Sequence, residues 1–250
     1  MTITADLSGK RALVTGASGG FGSHFARVLA AAGATVILAA RRVSLLEAVA
    51  ADIAAGGGRA MTLALDVGNA ESVRAALSAA GHIDILVNNA GITNTKAALD
   101  QTEEDWDRII DTNLKGAWLV ALETARHMKE TGGGSMINIA SILGLRQASH
   151  VGPYSVSKAA LLQLTKQLAL EFARYEIRVN ALAPGYFATD LNRDYFATDA
   201  GSALIKRIPQ RRLGNLSDLD GPLLLLASEA SRFMTGTVIA VDGGHLLSQL

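Results

Sequence analysis

Ala12-Leu13-Val14-Thr15-Gly16-Ala17-Ser18-Gly19-Gly20-Phe21-Gly22 joins a short apolar run to a glycine-rich turn. A helical stretch over 22–32 follows and Gly33 stops it. A strand that empties through a turn without side-chain bulk into a helix lets a pyrophosphate approach the backbone. The helix N-terminus there supplies N–H donors and a partial positive charge. The spacing is G-x-x-x-G-x-G, which differs from the G-x-G-x-x-G of the common dinucleotide fingerprint. Taken alone, such a stretch is also simply a tight turn, so its meaning depends on what surrounds it.

Outward from the turn, apolar strands and amphipathic helices alternate along the whole chain. Strands are expected at 12–15, 35–39, 60–65, 83–87, 136–139, 177–182 and 238–241. Helices are expected at 44–55, where Leu45, Leu46, Val49 and Ile53 share a face, and at 72–80, 103–130, 153–175 and 218–227. Asparagine is a poor helix former, so the long helix over 103–130 is expected to break near Asn113. Val36-Ile37-Leu38 and Ile85-Leu86-Val87 are apolar on both faces, as strands covered by helices on both sides must be. The pattern predicts an α/β fold, a doubly wound parallel sheet of seven strands (Rossmann-like) with helices on both faces. No linker or repeat divides the chain, so 1–250 reads as a single dinucleotide-binding and catalytic domain.

Composition excludes several alternatives. Forty-nine percent apolar residues supply a core and argue against disorder. The 23 basic and 23 acidic side chains cancel, so no net charge draws the chain to nucleic acid or to an anionic membrane. With no cysteine there is no disulfide, thiolate nucleophile or cysteine-based metal site. The five histidines (His24, His82, His127, His150, His245) show no metal spacing, and four are expected at the surface; His150, just before Tyr154, is expected to touch substrate. The apolar stretch 28–40 is too short to span a bilayer. The first ten residues lack the pattern of a signal peptide, and a cytoplasmic location is expected.

Gly16-x-x-x-Gly20-x-Gly22, Asn88-Asn89-Ala90-Gly91, Ser141, Tyr154-x-x-x-Lys158 and Pro184-Gly185 occur in that order over nearly the whole chain. Together they resemble the short single-domain branch of the short-chain dehydrogenase/reductase family. Tyr154 and Lys158 lie one turn apart on a helix face. A free tyrosine has a pKa of about 10, and a nearby ammonium favours its phenolate. The pair can therefore exchange a proton with a carbonyl or alcohol oxygen. Ser141, at the end of the fifth strand, can donate to the same oxygen. The resemblance implies that Asn113 holds a water linking Lys158 to solvent. It also implies a cofactor site of Gly16, Ser18, Gly20, Phe21, Gly22, Asp66, Val67, Asn88, Ala90, Gly91, Tyr154, Lys158, Pro184, Gly185, Phe187 and Thr189.

In family members that use NAD an acid usually ends the second strand. Here Ala40 stands there and Arg41-Arg42 follow, and guanidinium groups suit a 2′-phosphate. The cofactor expected is NADP(H) ahead of NAD(H). Ile142, Leu143, His150, Val151, Tyr186, Leu191 and Phe196 are expected to form a mostly apolar substrate pocket under a mobile lid at about 186–213. The leading reading is an NADP(H)-dependent oxidoreductase, an alcohol dehydrogenase or ketoreductase, acting on a small carbonyl or alcohol. One alternative is a 3-oxoacyl-thioester reductase serving an acyl carrier protein, for which Arg126, Lys129 and Arg174 are candidate contacts. Another is a non-catalytic nucleotide-binding sensor, which would be expected to have lost part of the Ser141/Tyr154/Lys158 set. The resemblance implies a homotetramer, with the final leucines, Leu246, Leu247 and Leu250, buried against another subunit.

Overall fold

The alternation of side chains along a strand decides which residue meets which helical layer. Along β1 (Arg11–Thr15), Ala12 and Val14 pack on one side of the sheet and Leu13 on the other. The computed structural model describes residues 5–188 and 193–247. Thr189, Leu191 and Leu250, singled out above, lie outside the described residues.

The elements follow as α1 (Gly20–Ala31), β2 (Thr35–Ala40), α2 (Val43–Ala55), β3 (Arg59–Ala64), α3 (Ala70–Ala80), β4 (Ile85–Asn88), α4 (Glu103–Ile110), α5 (Gly116–Glu130), β5 (Gly134–Ile139), α6 (Gly152–Phe172), β6 (Ile177–Pro184), α7 (Arg193–Phe196), α8 (Asp199–Ile205), α9 (Asp220–Ala227) and β7 (Val238–Val241). The seven strands form one sheet in the order β3-β2-β1-β4-β5-β6-β7, every pair parallel. This is the doubly wound architecture that the sequence predicts. The strand order reverses between β1 and β4, and the crevice at such a point is where ligands bind in open α/β sheets.

Helices α1, α2 and α9 cover one face, through Phe25, Leu29, Leu46, Val49, Leu223 and Leu226. Helices α3, α5 and α6 cover the other, through Val73, Leu77, Val120, Met128, Leu168 and Phe172. Val36, Ile37, Leu38, Leu86 and Val87 are fully buried because both layers are complete above them. His24 on α1 also bonds Asp220 on α9 at 2.6 Å, tying neighbouring helices of one layer. Among the described residues no helix is long and apolar enough to cross a membrane.

Element boundaries differ from the sequence reading at a few points. The break near Asn113 is a π-helical turn, Asp111–Lys115, inserted between α4 and α5 without ending the helix. The long C-terminal helix expected over 153–175 stops at Phe172 and tightens into a 3₁₀ turn at Ala173–Tyr175. β6 runs two residues beyond Leu182 to Pro184, because the last pairs with β7 are Ala183–Ala240 and Pro184–Val241. His245, expected at the surface, is buried in a 3₁₀ turn beyond β7. Leu247 in that turn is 85% exposed in the single chain.

Phe25 is fully enclosed between α1 and its neighbours. Phe25→Ala is expected to cost about 3–5 kcal/mol in urea unfolding, since the surrounding layers cannot collapse into the void. A cost below about 1 kcal/mol would contradict the packing of this layer.

Candidate active site

The glycine turn is shaped by two close approaches. Gly16 has φ +66°, and a β-carbon there would lie 2.9 Å from the α-carbon of Ala90. A β-carbon on Gly22 would lie 2.3 Å from the Gly16 carbonyl oxygen and 2.6 Å from Asn89 Nδ2. Gly19 and Gly20 border open space. Helix α1 begins there with neither a side-chain cap nor an acidic residue in its first turn. Its amide donors and positive dipole end are therefore presented to whatever occupies the turn. This is the fit that a dinucleotide pyrophosphate requires.

Thr15, given no role in the sequence reading, and Asn89 hold the turn in place. The Thr15 hydroxyl accepts from the backbone N–H of Asn89 and of Ala90, each at 3.0 Å. Asn89 Nδ2 donates to the Thr15 carbonyl at 2.9 Å and to the Gly16 carbonyl at 3.3 Å. All four bonds join the end of β1 and its turn to the end of β4, so no local pattern exposes them. Asn88, expected at the cofactor, has a buried side chain that donates to the Ala117 carbonyl at 3.0 Å and to Asn138 Oδ1 at 3.2 Å. It braces β4 against α5 and β5.

At the end of β5 the Ser141 hydroxyl accepts from the Leu143 N–H at 3.1 Å, and it acts on the Tyr154 phenol in the sense that favours ionisation. The turn after Ser141 rests on α6: a β-carbon on Gly144 would be 2.8 Å from the Lys158 carbonyl carbon. Pro153 suits the first turn of α6, where its missing N–H costs nothing. Lys158 is buried and donates from Nζ to the Ile139 carbonyl at 2.7 Å, while Nζ stands 5.6 Å from the Tyr154 ring centre.

Burial dominates the electrostatics. It raises the Tyr154 pKa, with the Ser141 hydrogen bond opposing and the nearby Tyr186 phenol adding to the rise. It lowers Lys158 to about 8. The expected pull of the ammonium toward phenolate is therefore outweighed. In the protein by itself desolvation is the larger effect, and the phenol holds its proton at neutral pH.

Asn113 sits in the π-helical turn, a distortion frequent at functional sites. Its Oδ1 accepts from Ile92 N–H at 2.8 Å; its Nδ2 donates to the Ile92 carbonyl at 2.9 Å and to Ser157 Oγ at 3.0 Å. Ser157 in turn donates to the Tyr154 carbonyl at 2.7 Å. Asn113 thus joins the chain beyond β4 to the helix bearing Tyr154 and Lys158. Gly91 lies between: a β-carbon there would be 3.3 Å from Asn113 Oδ1 and 3.5 Å from Lys158 Nζ.

The remaining candidates divide. Arg41 and Arg42 are exposed at the end of β2 and have no hydrogen-bond or ion-pair partner among the described residues. Asp66 is exposed beyond β3 and accepts from Gly68 N–H at 3.0 Å; Val67 is buried against Gly116. Ser18 and Phe21 are half-buried in the turn. Pro184 ends β6, and Gly185 follows it against Asp242, where a β-carbon would be 2.8 Å from the Asp242 α-carbon. Leu143, Val151, Tyr186 and Phe196 are half-buried, and Phe196 meets Tyr186 edge-on at 6.0 Å.

Two expected site residues are placed in the interior. Ile142 is 1% exposed and so belongs to the interior, not to a pocket wall. Phe187 is core too, 3% exposed, edge-on to Phe21 at 5.5 Å and against Gly214. His150 is exposed in a left-handed conformation, φ +69°, and its carbonyl accepts from Lys96 N–H at 2.8 Å. A cavity of about 390 Å³ opens on the other side of Tyr186, lined by Gln210, Arg212, Asp218 and Asp242 among others, and does not include Ser141, Tyr154 or Lys158.

A nucleotide-accepting turn at the switch point, with a serine, tyrosine and lysine gathered beside it, defines a dinucleotide-dependent oxidoreductase. The family model described as enoyl-(acyl carrier protein) reductase matches residues 16–245. The chain is 38% identical over 247 residues to the gluconate 5-dehydrogenase of Gluconobacter oxydans, covering 97% of this chain and 96% of that one. It is 36% identical over 247 residues to the 3-oxoacyl-[acyl-carrier-protein] reductase of a Synechocystis strain, covering 96% and 98%. The crystal structure of a gluconate 5-dehydrogenase from Burkholderia cenocepacia, in complex with NADP and tartrate, superposes with a TM-score of 0.94 at 39% identity, over 98% of each chain. The chain belongs to the short-chain dehydrogenase/reductase family. It is an oxidoreductase that interconverts an alcohol and a carbonyl group.

The glycines make separable demands. Gly22→Ala is expected to lower the melting temperature by several degrees and abolish NADPH binding, because its β-carbon meets backbone. Gly19→Ala, with extended φ and open space, should leave the melting temperature unchanged. Equal behaviour of the two variants in thermal unfolding would refute this account of the turn.

Proposed function

We propose that the chain is an NADP(H)-dependent enzyme of a small ketone and its alcohol, with Tyr154 as the proton donor and acceptor. The observation that carries this reading is the group formed by buried Ser141 and Lys158 and half-buried Tyr154 beside an open glycine turn. The bound nicotinamide supplies or accepts the hydride. Tyr154, kept protonated by burial, gives its proton to the carbonyl oxygen during reduction and takes one from the alcohol during oxidation. The Ser141 hydroxyl orients that oxygen. Lys158 spends one donor on Ile139 and keeps the others for the cofactor ribose and the phenol. Asn113 positions this group through Ser157 and, as the resemblance implies, holds the water that refills the proton.

Arg41 and Arg42 support NADP(H) over NAD(H): two guanidinium groups without protein partners stand after β2, where an acid would repel a 2′-phosphate. The NADP bound to the Burkholderia relative agrees. A small free substrate is preferred to a carrier-bound thioester. The candidate carrier contacts are engaged at home, Arg126 with Glu123 and both Lys129 and Arg174 over the Tyr175 ring. One unit then carries cofactor and substrate, with 186–213 as its cover. An apolar groove between α5 and α6, lined by Leu114, Trp118, Ala160 and Leu164, supports a homotetramer. A cytoplasmic location suits the cysteine-free chain.

Tyr154→Phe should still bind NADPH while turnover falls by about a hundredfold or more. Near-normal turnover in the folded variant would sink the assignment. Because reduction consumes the phenol proton and oxidation needs it gone, reduction should persist through neutral pH and slow only as pH rises beyond about 10, since burial holds the phenol above its ordinary value.

Ala40→Asp with Arg41→Ala adds a repulsive element and removes an attractive one. The ratio of kcat/KM for NADPH over NADH is expected to fall by about tenfold or more. A wild-type enzyme that uses NADH as well as NADPH would refute the cofactor preference.

A further inference from the structure

We propose that Asn138 and Thr165 are positioning residues: the buried hydrogen bond between them fixes how far α6 sits along β5, and so where Tyr154 and Lys158 stand relative to Ser141 and the Ile139 carbonyl. The inference rests on the Ser141–Tyr154–Lys158 reading of the reaction centre.

The reacting groups come from two elements that meet mainly through apolar side chains. Ile139 ends β5 and Ser141 follows it, whereas Tyr154 and Lys158 are carried by α6. Beyond Lys158 the buried face of α6 continues as Leu161, Leu162, Thr165, Leu168, Ala169 and Phe172. Apolar burial is non-directional, so the leucines by themselves tolerate a small slide of the helix along the strand. Thr165 is the exception on this face, two turns beyond Lys158 and fully buried.

Asn138, the residue before Ile139, is buried opposite it. Its Nδ2 donates to Thr165 Oγ1 at 2.9 Å, and that hydroxyl donates on to the Leu161 carbonyl at 2.8 Å. Asn138 is held from its other side as well. The register of β4 and β5 places it beside Asn88, whose Nδ2 donates to Asn138 Oδ1 at 3.2 Å and to the Ala117 carbonyl of α5 at 3.0 Å. A polar chain thus runs from α5 through β4 and β5 to α6. A buried bond of this kind is directional, because a shift that breaks it leaves a donor without water or partner. The bond from Lys158 Nζ to the Ile139 carbonyl, at 2.7 Å, starts from the next residue of the same strand. The contact of Asn113 with Ser157 ties α6 to the π-helical turn and not to β5. Placement of the reacting groups along the strand therefore falls to Asn138 and Thr165, and a misplacement of about 1 Å at such groups costs on the order of a hundredfold in rate.

The test separates the hydroxyl of Thr165 from its shape, in the full chain. Thr165→Ser keeps the hydroxyl and loses a methyl group; Thr165→Val keeps the shape and loses the hydroxyl. Both are expected to lower the melting temperature. In their crystal structures Lys158 Nζ should stay within hydrogen-bonding distance of the Ile139 carbonyl in Thr165→Ser and leave it in Thr165→Val. At saturating NADPH, kcat for the ketone that the wild type reduces best should fall by about tenfold or more in Thr165→Val and by less than about twofold in Thr165→Ser. Asn138→Leu combined with Thr165→Val makes both partners apolar, and it should regain melting temperature without regaining kcat. Should Thr165→Val alone not fold, this double variant gives the same comparison with Thr165→Ser. Activity that follows the melting temperature across the variants, or a Lys158–Ile139 bond that survives loss of the hydroxyl, overturns the proposal. If the wild type reduces no ketone, the reaction-class reading fails separately, and the crystal structures still decide whether Asn138 and Thr165 place the helix.

Discussion

The Gly16 carbonyl and the Gly22 α-carbon approach so closely that no side chain fits between them. Through this contact the first turn of α1 is pressed onto the end of β1. Asn89 closes the third side, giving its amide to the carbonyl of Thr15 at the end of β1 and to that of Gly16 beyond it. The Thr15 hydroxyl answers with two bonds to the chain leaving β4. These polar groups are buried or nearly so, and each has a partner, which is what makes the junction rigid and not merely close. A phosphate-binding turn works only if its amides are fixed before the ligand arrives. Here β4 fixes them.

The same junction sets the reaction centre. The chain leaving β4 passes Gly91 and Ile92, and Asn113 clamps Ile92 with two hydrogen bonds while reaching Ser157 with a third contact. The π-helical turn is what aims Asn113 inward between α4 and α5. Lys158 then lies against Ile139 with its long stem in the core and its head near the phenol. Burial pushes this pair toward neutrality from both ends, raising the acid and lowering the base. A positive charge brought in beside the phenol acts in the opposite sense, so proton affinity at Tyr154 is coupled to what is bound.

The region beyond the C-terminal ends of β5, β6 and β7 is built differently. It is assembled from the turn after Ser141, the segment after β6, the α8 segment and the turn after β7, none of them adjacent in sequence. Their cohesion comes from a few polar contacts, such as Arg146 with the His245 carbonyl and Asp242 with two backbone amides. Such contacts are easily altered by substitution in one loop. The sheet beneath, with its complete apolar layers, does not change with them.

The sequence by itself determined the sheet and its helices, and it singled out the candidate reacting side chains. Strand alternation, helical periodicity and the spacing of Gly16, Gly22, Tyr154 and Lys158 are local patterns, and local backbone geometry is enough to read them. Only the tertiary structure decided that Asn89 is the residue that holds the turn while Asn88 serves as a brace to α5 and β5, since two adjacent asparagines differ in which side of the strand they face. It also decided that Ile142 and Phe187 are interior residues and that His245 is buried beside Tyr186. Apolar residues near a site can serve either as wall or as core, and composition cannot separate the two. The direction of the Tyr154 pKa was likewise out of reach, because desolvation depends on every segment that closes over the phenol, and those segments are far apart along the chain.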